Sequence, residues 1–517
     1  MKVRRRLIAI LALGALITLG GCASIPSDFE QVPSETWQHP EDTRLGALFE
    51  QYAPADDSLS GVRLLSNPRE AFKARFGFAG LADRTLDLQY YLWKGDLTGE
   101  LLLYRALEAA DRGVQVRVLI DDIYHAGRDQ VYAAIDSHPN FQVRVFNPMG
   151  NRGFGRNANM VYHKKKLDHR MHNKIFLVDG AVAVLGGRNI GDDYFGIDPD
   201  LNFRDLDVLA VGPAATEAGA AFDEYWNSRV SVPVAALLKE PVDDGALDRL
   251  RDNLATSLDE VDAIPYTVPI EFDNTLDVLK ELASELIWAN AEVVVDSLER
   301  FEGGNESAFV ELTRRVAASV QQEVVIQTAY LIPSKEGIAD VEEVTGRGVR
   351  VRILTNSYKS NNHATVHSHY KKKRKKLIKS GAELHELQPH PELLKFFQET
   401  DPRIASSHAG LHAKAFVVDR RLSMIGSYNM DPRSRIWNSE IGLLIDSEVF
   451  AERVLEVMEE DFELTNSYRL TLDTNGDLVW TAEGPDGTET WHHDPGASAW
   501  NRFVLTIMGW VPMGSEL

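Results

Sequence analysis

The stretch that decides the fold is RMHNKIFLVD at residues 170–179, followed by GGRN at residues 186–189. A second copy lies 240 residues later, LHAKAFVVD at residues 411–419, followed by GSYN at residues 426–429. Both copies share one order: His, any residue, Lys, four residues, Asp, six residues, then Gly, a small residue, any residue and Asn. Two copies at matching spacing in one chain indicate a duplicated site.

Short apolar runs follow the lysine in both copies and are typical of buried strands. Because side chains two residues apart on a strand share a face, His172 and Lys174 are predicted to point the same way, as are His412 and Lys414. Each pair suits one side of a phosphate anion. The two motifs together therefore predict one phosphate site built from two halves.

Turn residues and small residues complete each motif. Asp179 and Asp419 stand at turns, so they join the candidate catalytic set as residues that shape the pocket rather than as direct acids. Gly187 and Ser427 follow the next strand. Small side chains there let backbone approach a ligand closely and offer N–H donors to an anion.

Composition limits the function classes. The chain has 517 residues, long enough for two domain-sized cores, and its hydrophobic and charged fractions of 44% and 26% are those of a globular protein. A net charge of −22 argues against nucleic acid as a partner, which would need a basic surface. The only cysteine is Cys22, which excludes a disulfide framework and a cysteine metal site. No metal or cofactor is expected.

The N-terminus resembles a bacterial lipoprotein signal. A basic start precedes the apolar run 7–19, which ends in LGGC at residues 19–22. Cleavage after residue 21 would leave Cys22 as the lipidated first residue, anchoring the protein in the cell envelope and facing the periplasm. An ordinary N-terminal membrane anchor is the alternative. Ala23 favours the outer membrane over the inner one, without deciding between them.

A strand–helix–strand unit precedes each motif. Residues 84–93 and 114–120 are predicted strands, and residues 99–112 between them have the apolar spacing of a helix. The segments 323–331 and 347–354 repeat the two strands, the latter almost letter for letter. Such units imply parallel strands covered by helices, so the fold class is α/β with an internal duplication.

The predicted domain organisation follows from this repeat, from composition shifts and from a hairpin signal at Asn475-Gly476. The expected units are a signal peptide (1–21), a tether (22–58), a first αβ domain (59–229), a linker with a helical insert (230–305), a second αβ domain (306–465) and a C-terminal hairpin with an apolar helix (466–517).

Three segments carry open interpretations. The basic runs 163–166 and 369–376 either form solvated faces or attract anionic lipid headgroups. The apolar segment 500–511, with a tryptophan near each end, either packs on the body or lies in a membrane interface.

Two imidazoles and two ammonium groups in one site suit a phosphodiester. One neutral histidine attacks phosphorus and forms a phosphohistidine, while the other gives a proton to the leaving oxygen. The lysines, with Asn189 and Asn429, would hold the non-bridging oxygens, so fixed cations supply the charge. Asp205 and Glu440 occupy corresponding places after the motifs and are the candidates for orienting the histidine rings.

These paired motifs resemble those of the phospholipase D superfamily, and the resemblance runs from about residue 64 to the C-terminal end. Further segments are similar to bacterial cardiolipin synthases of the C type: QYY at 89–91, LIDD at 119–122, FNP at 146–148, GGRNIGD at 186–192, ILTNS at 353–357 and NMDPRS at 429–434. The resemblance implies two phospholipase D-like αβ domains with mixed sheets, related by a pseudo-two-fold axis, with one active site at their interface.

The resemblance also implies a metal-independent phosphatidyl transfer at a membrane surface. Phosphatidylethanolamine is the implied donor and phosphatidylglycerol the acceptor, with His172 as nucleophile and His412 as acid and base. The near-symmetry of the halves leaves the order of the histidines open, and Asp205 departs from the longer Glu at its counterpart position. Alternatives are a hydrolytic phospholipase D, a phosphodiesterase on nucleic acid and a lipid-binding scaffold without catalysis.

Overall fold

The computed structural model describes residues 29–125, 127–150, 152, 168–238, 240–259, 275–302 and 307–510. The predicted signal peptide, Cys22 and the basic run 163–166 lie outside the described residues. The strands of the first half are β1 (Ser60–Leu65), β2 (Thr85–Tyr90), β3 (Gln115–Asp121), β4 (Phe141–Phe146), β5 (Arg170–Met171), β6 (Ile175–Val178), β7 (Val182–Gly186), β8 (Leu201–Arg204), β9 (Asp207–Val211) and β10 (Ser231–Pro233).

The second half repeats these strands in the same order and then adds two. They are β11 (Ile287–Val295), β12 (Glu323–Thr328), β13 (Arg350–Asn356), β14 (Glu383–Leu387), β15 (His408–Leu411), β16 (Lys414–Val418), β17 (Leu422–Gly426), β18 (Asn438–Ser439), β19 (Ile441–Asp446), β20 (Ser467–Leu472), β21 (Leu478–Gly484) and β22 (Gly487–Trp491).

Helices cover the sheets. They are α1 (Arg44–Glu50), α2 (Pro68–Leu81), α3 (Leu97–Asp111), α4 (Asp129–Asp136), α5 (Asp192–Phe195), α6 (Pro213–Trp226), α7 (Ala246–Asp259), α8 (Thr275–Ser284), α9 (Ala308–Ser319), α10 (Lys335–Gly346), α11 (Ala364–Tyr370), α12 (Arg374–Lys379), α13 (Glu392–Thr400), α14 (Pro432–Ile436), α15 (Glu448–Phe462) and α16 (Ala499–Trp510).

Each half is built on one mixed sheet, which confirms the predicted α/β class and the duplication. In the first half the order is β10-β4-β3-β2-β6-β7-β9-β1, with β2, β3 and β4 parallel and the other pairs antiparallel. In the second half the corresponding order is β20-β14-β13-β12-β16-β17-β19-β11, again with one parallel trio, β12, β13 and β14. The motif strands β6 and β16 therefore occupy equivalent central positions.

The crossover helices α3 and α10 begin and end with the same signals. Asp96 accepts a hydrogen bond from the N–H of Gly99 at the start of α3, and Ser334 accepts one from Gly337 at the start of α10. Just beyond the two helix ends, Gly113 and Gly348 have φ of 97° and 85°. This left-handed conformation lets the chain turn into the next strand.

The edge strands β1 and β11 pair with each other and join the two sheets. Gly61 lies opposite Trp288 in this antiparallel ladder, and β11 continues on its other side into β19. The prediction of a linker with a helical insert at residues 230–305 is therefore wrong for residues 287–295, which form β11. Strand β11 could not be recognised from composition, because its sequence lacks the continuous apolar run of a central strand. Most of its side chains are at least partly exposed.

The prediction of a tether is also wrong for the described residues 29–58. This segment packs on the first half: the N–H of Thr36 donates to the carboxylate of Asp223 at 3.0 Å, and Arg117 donates to the carbonyl of Ser34 at 2.8 Å. Helix α1 buries Leu45 and Phe49 against the same core. A polar, proline-containing segment can be ordered when its backbone groups find partners of this kind.

The C-terminal segment extends the second sheet. The predicted hairpin is present, since Leu470 of β20 lies opposite Trp480 of β21, and β20 pairs with β14 as β10 pairs with β4. Helix α16 contacts α11 and buries Leu505 and Gly509. Within the part of the chain that the structure describes, no helix combines the length and apolar character needed to cross a bilayer.

Two short ladders cross between the halves. Strand β5 pairs in parallel with β18, so that Met171 lies opposite Ser439. Strand β15 pairs in parallel with β8, so that Leu411 lies opposite Arg204. Each ladder ends one residue before a motif histidine on one strand and one residue before an acidic residue on the other, which fixes the site at the interface.

The motif aspartates brace the far ends of the motif strands. Both carboxylate oxygens of Asp179 accept backbone N–H groups, from Asp83, Arg84 and Thr85, at 2.7 to 2.9 Å. Asp419 accepts the equivalent N–H groups of residues 321–323. Both aspartates have positive φ, 56° and 49°, a conformation that Asp tolerates better than most residues.

We expect Asp179→Asn to lower the free energy of unfolding by about 1–3 kcal/mol, because the amide group puts an N–H donor against a buried N–H. Asn tolerates positive φ, so the loss reports the hydrogen bonds rather than backbone strain. Urea unfolding followed by circular dichroism measures it. Asp419→Asn is the matched control with a smaller expected loss, since Asp419 is only partly buried. Equal losses in the two variants would contradict this account.

Candidate active site

Each motif histidine is bound to a carboxylate from the other half. Nδ1 of His172 lies 2.7 Å from Oε2 of Glu440, and Nδ1 of His412 lies 2.6 Å from Oδ2 of Asp205. Both carboxylates are completely or almost completely buried. The carboxylates keep Nδ1 of each ring occupied, which leaves Nε2 for chemistry.

The crossing ladders set these contacts through the backbone. The N–H of His172 donates to the carbonyl of Ser439 at 2.9 Å, directly before Glu440. The N–H of His412 donates to the carbonyl of Arg204 at 2.8 Å, directly before Asp205. The shorter Asp205 reaches its histidine as closely as Glu440 does, at 2.6 Å against 2.7 Å.

The two carboxylates have different supports. Oγ of Ser427 donates to Oε2 of Glu440. At the counterpart position, a Cβ added to Gly187 would lie 2.1 Å from Oδ1 of Asp205, so only glycine leaves room for that carboxylate. The predicted role of both small residues was an approach to the ligand; in the structure they border the orienting acids.

The lysines lie beside the histidines and are almost fully buried. Nζ of Lys174 donates to the carbonyl of His172 at 2.5 Å, and Nζ of Lys414 donates to the carbonyl of His412. Burial lowers the pKa of Lys174 to about 7 and that of Lys414 to about 8, although the nearby carboxylates oppose the shift. An anion bound between them would restore their charge.

Burial also keeps the histidines neutral. It lowers the pKa of His172 to about 4 and that of His412 to about 3, with the neighbouring lysine cations acting in the same direction. Burial opposes ionisation of the acids, but the pKa of Asp205 falls to about 2 because of His412 and Lys414. The pKa of Glu440 is lowered as well, against burial, by His172 and Lys174. Neutral imidazoles beside carboxylates are suited to nucleophilic attack.

The two motif asparagines have different surroundings. The side chain of Asn189 accepts the N–H of Leu92 at 3.2 Å and donates to the hydroxyl of Tyr194 at 2.9 Å. Oδ1 of Asn429 is buried and has no hydrogen-bond partner among the described residues. Asn189 therefore holds the wall of the site, while Asn429 keeps polar capacity for a ligand.

Aromatic side chains enclose both imidazoles. The ring of Tyr91 lies 4.8 Å from that of His172, edge to face. Tyr194 and Phe203 lie 5.1 and 5.0 Å from His412. Tyr91 belongs to a segment quoted above only for the family resemblance, and Tyr194 and Phe203 were not predicted because nothing in the spacing of the motifs marks them.

Asp121 and Asn356 lie in segments quoted above only for the family resemblance, and they hold the strands in front of the histidines. Oδ2 of Asp121 accepts the N–H of Met171 at 2.9 Å, and Oδ1 of Asn356 accepts the N–H of Leu411 at 2.8 Å. Asp121 and Asn356 end the equivalent strands β3 and β13. Alignment of the two repeats against each other would have found this pair.

The structure thus brings together ten of the twelve predicted site residues around the interface. Asp179 and Asp419 are the exceptions, since their carboxylates bind backbone at the opposite ends of the motif strands. The assembled groups are two neutral imidazoles, two ammonium groups and two orienting carboxylates. They can support attack on phosphorus by one ring and proton transfer by the other.

Comparisons with known proteins show the family and the fold of the chain. A family model described as "Cardiolipin synthase, PLD-like domain" matches residues 80–226 and 314–462. Cardiolipin synthase C of Escherichia coli K12 is 34% identical over 88% of this chain and 95% of its own length. Cardiolipin synthase A of Pseudomonas entomophila is 27% identical over 78% of this chain and 68% of its own. The crystal structure of phosphatidylserine synthase from Haemophilus influenzae, 13% identical, has a similar fold, with a TM-score of 0.54 over 90% of this chain and 96% of that one.

We expect the affinity for sulfate to fall at least about tenfold as pH rises from 6 to 9. Lysines are charged below their pKa, so Lys174 and Lys414 lose their charges as pH passes about 7 and about 8. Sulfate keeps its own charge over this range, and isothermal titration calorimetry measures its binding. Lys174→Met and Lys414→Met should each flatten the profile. An affinity in the parent protein that does not change with pH would contradict the assignment.

Proposed function

Because this chain belongs to the cardiolipin synthase family with phospholipase D-like domains, we propose that it joins two phospholipids into cardiolipin. It is a phosphatidyltransferase of the phospholipase D type. The proposed donor is phosphatidylethanolamine and the proposed acceptor is phosphatidylglycerol. The crossed pairing of each histidine with a carboxylate of the other half is the observation that supports this chemistry most directly.

In the first proposed step Nε2 of His172 attacks the phosphorus of the donor. An N–P bond forms and the P–O bond to the headgroup breaks. His412 gives its Nε2 proton to the departing oxygen, which leaves as ethanolamine. Although burial favours neutral His412 in the free protein by lowering its pKa, the phosphate anion favours its protonated form. Lys174 and Lys414 stabilise the charge on the non-bridging oxygens.

In the second step the acceptor replaces the headgroup. Nε2 of His412 takes the proton from a glycerol hydroxyl of phosphatidylglycerol, whose oxygen attacks phosphorus. The N–P bond breaks and His172 is regenerated. Water in place of this hydroxyl would give phosphatidic acid, so the enclosure of His172 and His412 by Tyr91, Tyr194 and Phe203 favours transfer by limiting access of water.

We expect the full chain, incubated with phosphatidylethanolamine and phosphatidylglycerol, to produce cardiolipin and ethanolamine. His172→Ala should lower the rate at least about a thousandfold, because the proposed nucleophile is lost. His412→Ala should lower the rate at least about a hundredfold, because the first step loses its acid and the second step its base, and any phosphorus label that the donor leaves on the protein should be on His172. Thin-layer chromatography and mass spectrometry of acid-sensitive phosphohistidine measure the two outcomes.

Thermal unfolding of both variants serves as the control for folding. Formation of phosphatidic acid without cardiolipin would show that the protein is a hydrolytic phospholipase D and not a synthase. Label on His412 in a His172→Ala variant would reverse the roles of the two histidines.

A membrane-binding face is part of the proposed function. Helix α16 exposes Trp500, Phe503, Ile507 and Trp510 by 69%, 55%, 44% and 74%, at a spacing that places them on one side. The exposed lysines 372, 375, 376 and 379 lie on the adjoining segment, and Nζ of Lys372 donates to the carbonyl of Gly509. We call this combination the aromatic–lysine face.

An apolar stripe beside basic residues is typical of surfaces that rest in the interface of an anionic bilayer. In a chain with a net charge of −22, four exposed lysines this close together form a local basic patch. Lipidation at Cys22 would hold the chain at the same membrane. The face then supplies the orientation that a single anchor does not.

We expect Trp500→Ala with Trp510→Ala to weaken binding to vesicles of phosphatidylglycerol and phosphatidylcholine at least about tenfold, since both rings lose their place in the interface. The measurement is vesicle co-sedimentation in a Cys22→Ser background, which removes any contribution of the anchor. Val449→Ala, at an exposed apolar residue elsewhere, should change nothing. Unchanged binding in the double variant would exclude the aromatic–lysine face.

A further inference from the structure

The second half contains an apolar cavity above its sheet. It has a volume of about 530 Å³ and lies between helices α9 and α10 and the strands β12, β13 and β16. Apolar side chains form most of its wall, including Val316, Val324, Ile326, Val344, Ile353 and Phe416. The exposed residues Glu336 and Asp340 also border it, so one side reaches solvent.

The cavity reflects a difference between the repeated halves. Helices α2 and α3 of the first half each bury nine residues, with Phe72 and Phe76 filling the space above the sheet. Helix α10, the counterpart of α3, buries only Val344, and its apolar side chains Ile338 and Val341 stay partly exposed. An apolar surface of this kind costs free energy unless a ligand covers it.

One loop contributes residues to both the cavity and the candidate active site. Tyr428, Met430 and Asp431 line one end of it, and Asn429 between them belongs to the site. The backbone of this loop is fixed, because the N–H of Ile332 donates to the carbonyl of Met430 at 2.8 Å. Asp431 of this loop is close enough to Lys414 to act on its charge, so a chain attached to a phosphate at the paired histidines would pass this loop to reach the cavity.

We propose that the cavity takes one acyl chain of the phospholipid whose phosphate lies between His172 and His412. This inference rests on the proposed function and adds to it the site that binds one acyl chain of the substrate. The volume falls in the range of roughly 300–1,000 Å³ that ligand pockets have. Its apolar wall fits a hydrocarbon chain, whereas the anionic phosphate belongs among the lysines.

The test is to fill the cavity from its wall. Ala317 on α9 lines the cavity and Ala318 beside it is exposed, so Ala317→Phe and Ala318→Phe make a matched pair. We expect Ala317→Phe to lower kcat/KM for dioleoyl phosphatidylethanolamine about tenfold. Dihexanoyl phosphatidylethanolamine, whose chains are too short to need the cavity, should lose less than about twofold. Ala318→Phe should leave both substrates unchanged.

Equal losses for the two chain lengths in Ala317→Phe, or no loss for either, would overturn the proposal. Thermal unfolding of Ala317→Phe and Ala318→Phe is the control for folding.

A second measurement does not depend on turnover. Phosphatidylethanolamine with a photoreactive diazirine at the end of one acyl chain should label peptides from residues 308–346, and Ala317→Phe should reduce that labelling. Labelling confined to other segments would overturn the proposal. Labelling at 308–346 without cardiolipin formation would instead refute the proposed function and leave the acyl-chain site in place.

Discussion

The structure depends on one constraint: each motif histidine is bound to a carboxylate that comes from the other half. His172 contacts Glu440 and His412 contacts Asp205, and the two contacts run in opposite directions across the interface. Neither half contains a complete set of groups. The crossing ladders β5–β18 and β15–β8 deliver these residues, so the pairing of the halves and the assembly of the site are the same event.

This arrangement also makes a buried cluster of charges tolerable. Two lysines and two carboxylates lie among nearly buried rings, where an isolated charge would be costly. The carboxylates offset the lysines, while the lowered pKa values of Lys174 and Lys414 show that the compensation is incomplete. An anionic phosphate supplies the missing negative charge. The free site is thus organised for a ligand before it arrives, which is how electrostatic preorganisation lowers a barrier.

Much of the fold and of the site could be predicted from the sequence, because the duplication shows each repeated feature twice. The motif strands, the crossover units and the candidate acids were found from matching spacing. The crossing was not predicted, because repeat spacing shows that Asp205 and Glu440 are equivalent but not which histidine each one contacts. Strand β11 was not predicted because most of its side chains are at least partly exposed. The ordered packing of residues 29–58 was not predicted because it depends on partners that are distant in sequence, such as Asp223.

The two halves differ in the residues that surround their orienting carboxylates. Asp205 requires Gly187, because a Cβ there would occupy the place of its carboxylate. Glu440 instead receives a hydrogen bond from Ser427, at the position equivalent to Gly187. Each acid is therefore matched to its own small residue, and a side chain at position 187 would push the Asp205 carboxylate out of its place beside His412. Ser427 and His172 share one oxygen of Glu440, whereas Asp205 receives no such hydroxyl and Nζ of Lys414 lies 2.9 Å from Nδ1 of His412, so the two imidazoles have different surroundings. A duplicated site can in this way assign different roles to two histidines that began as copies.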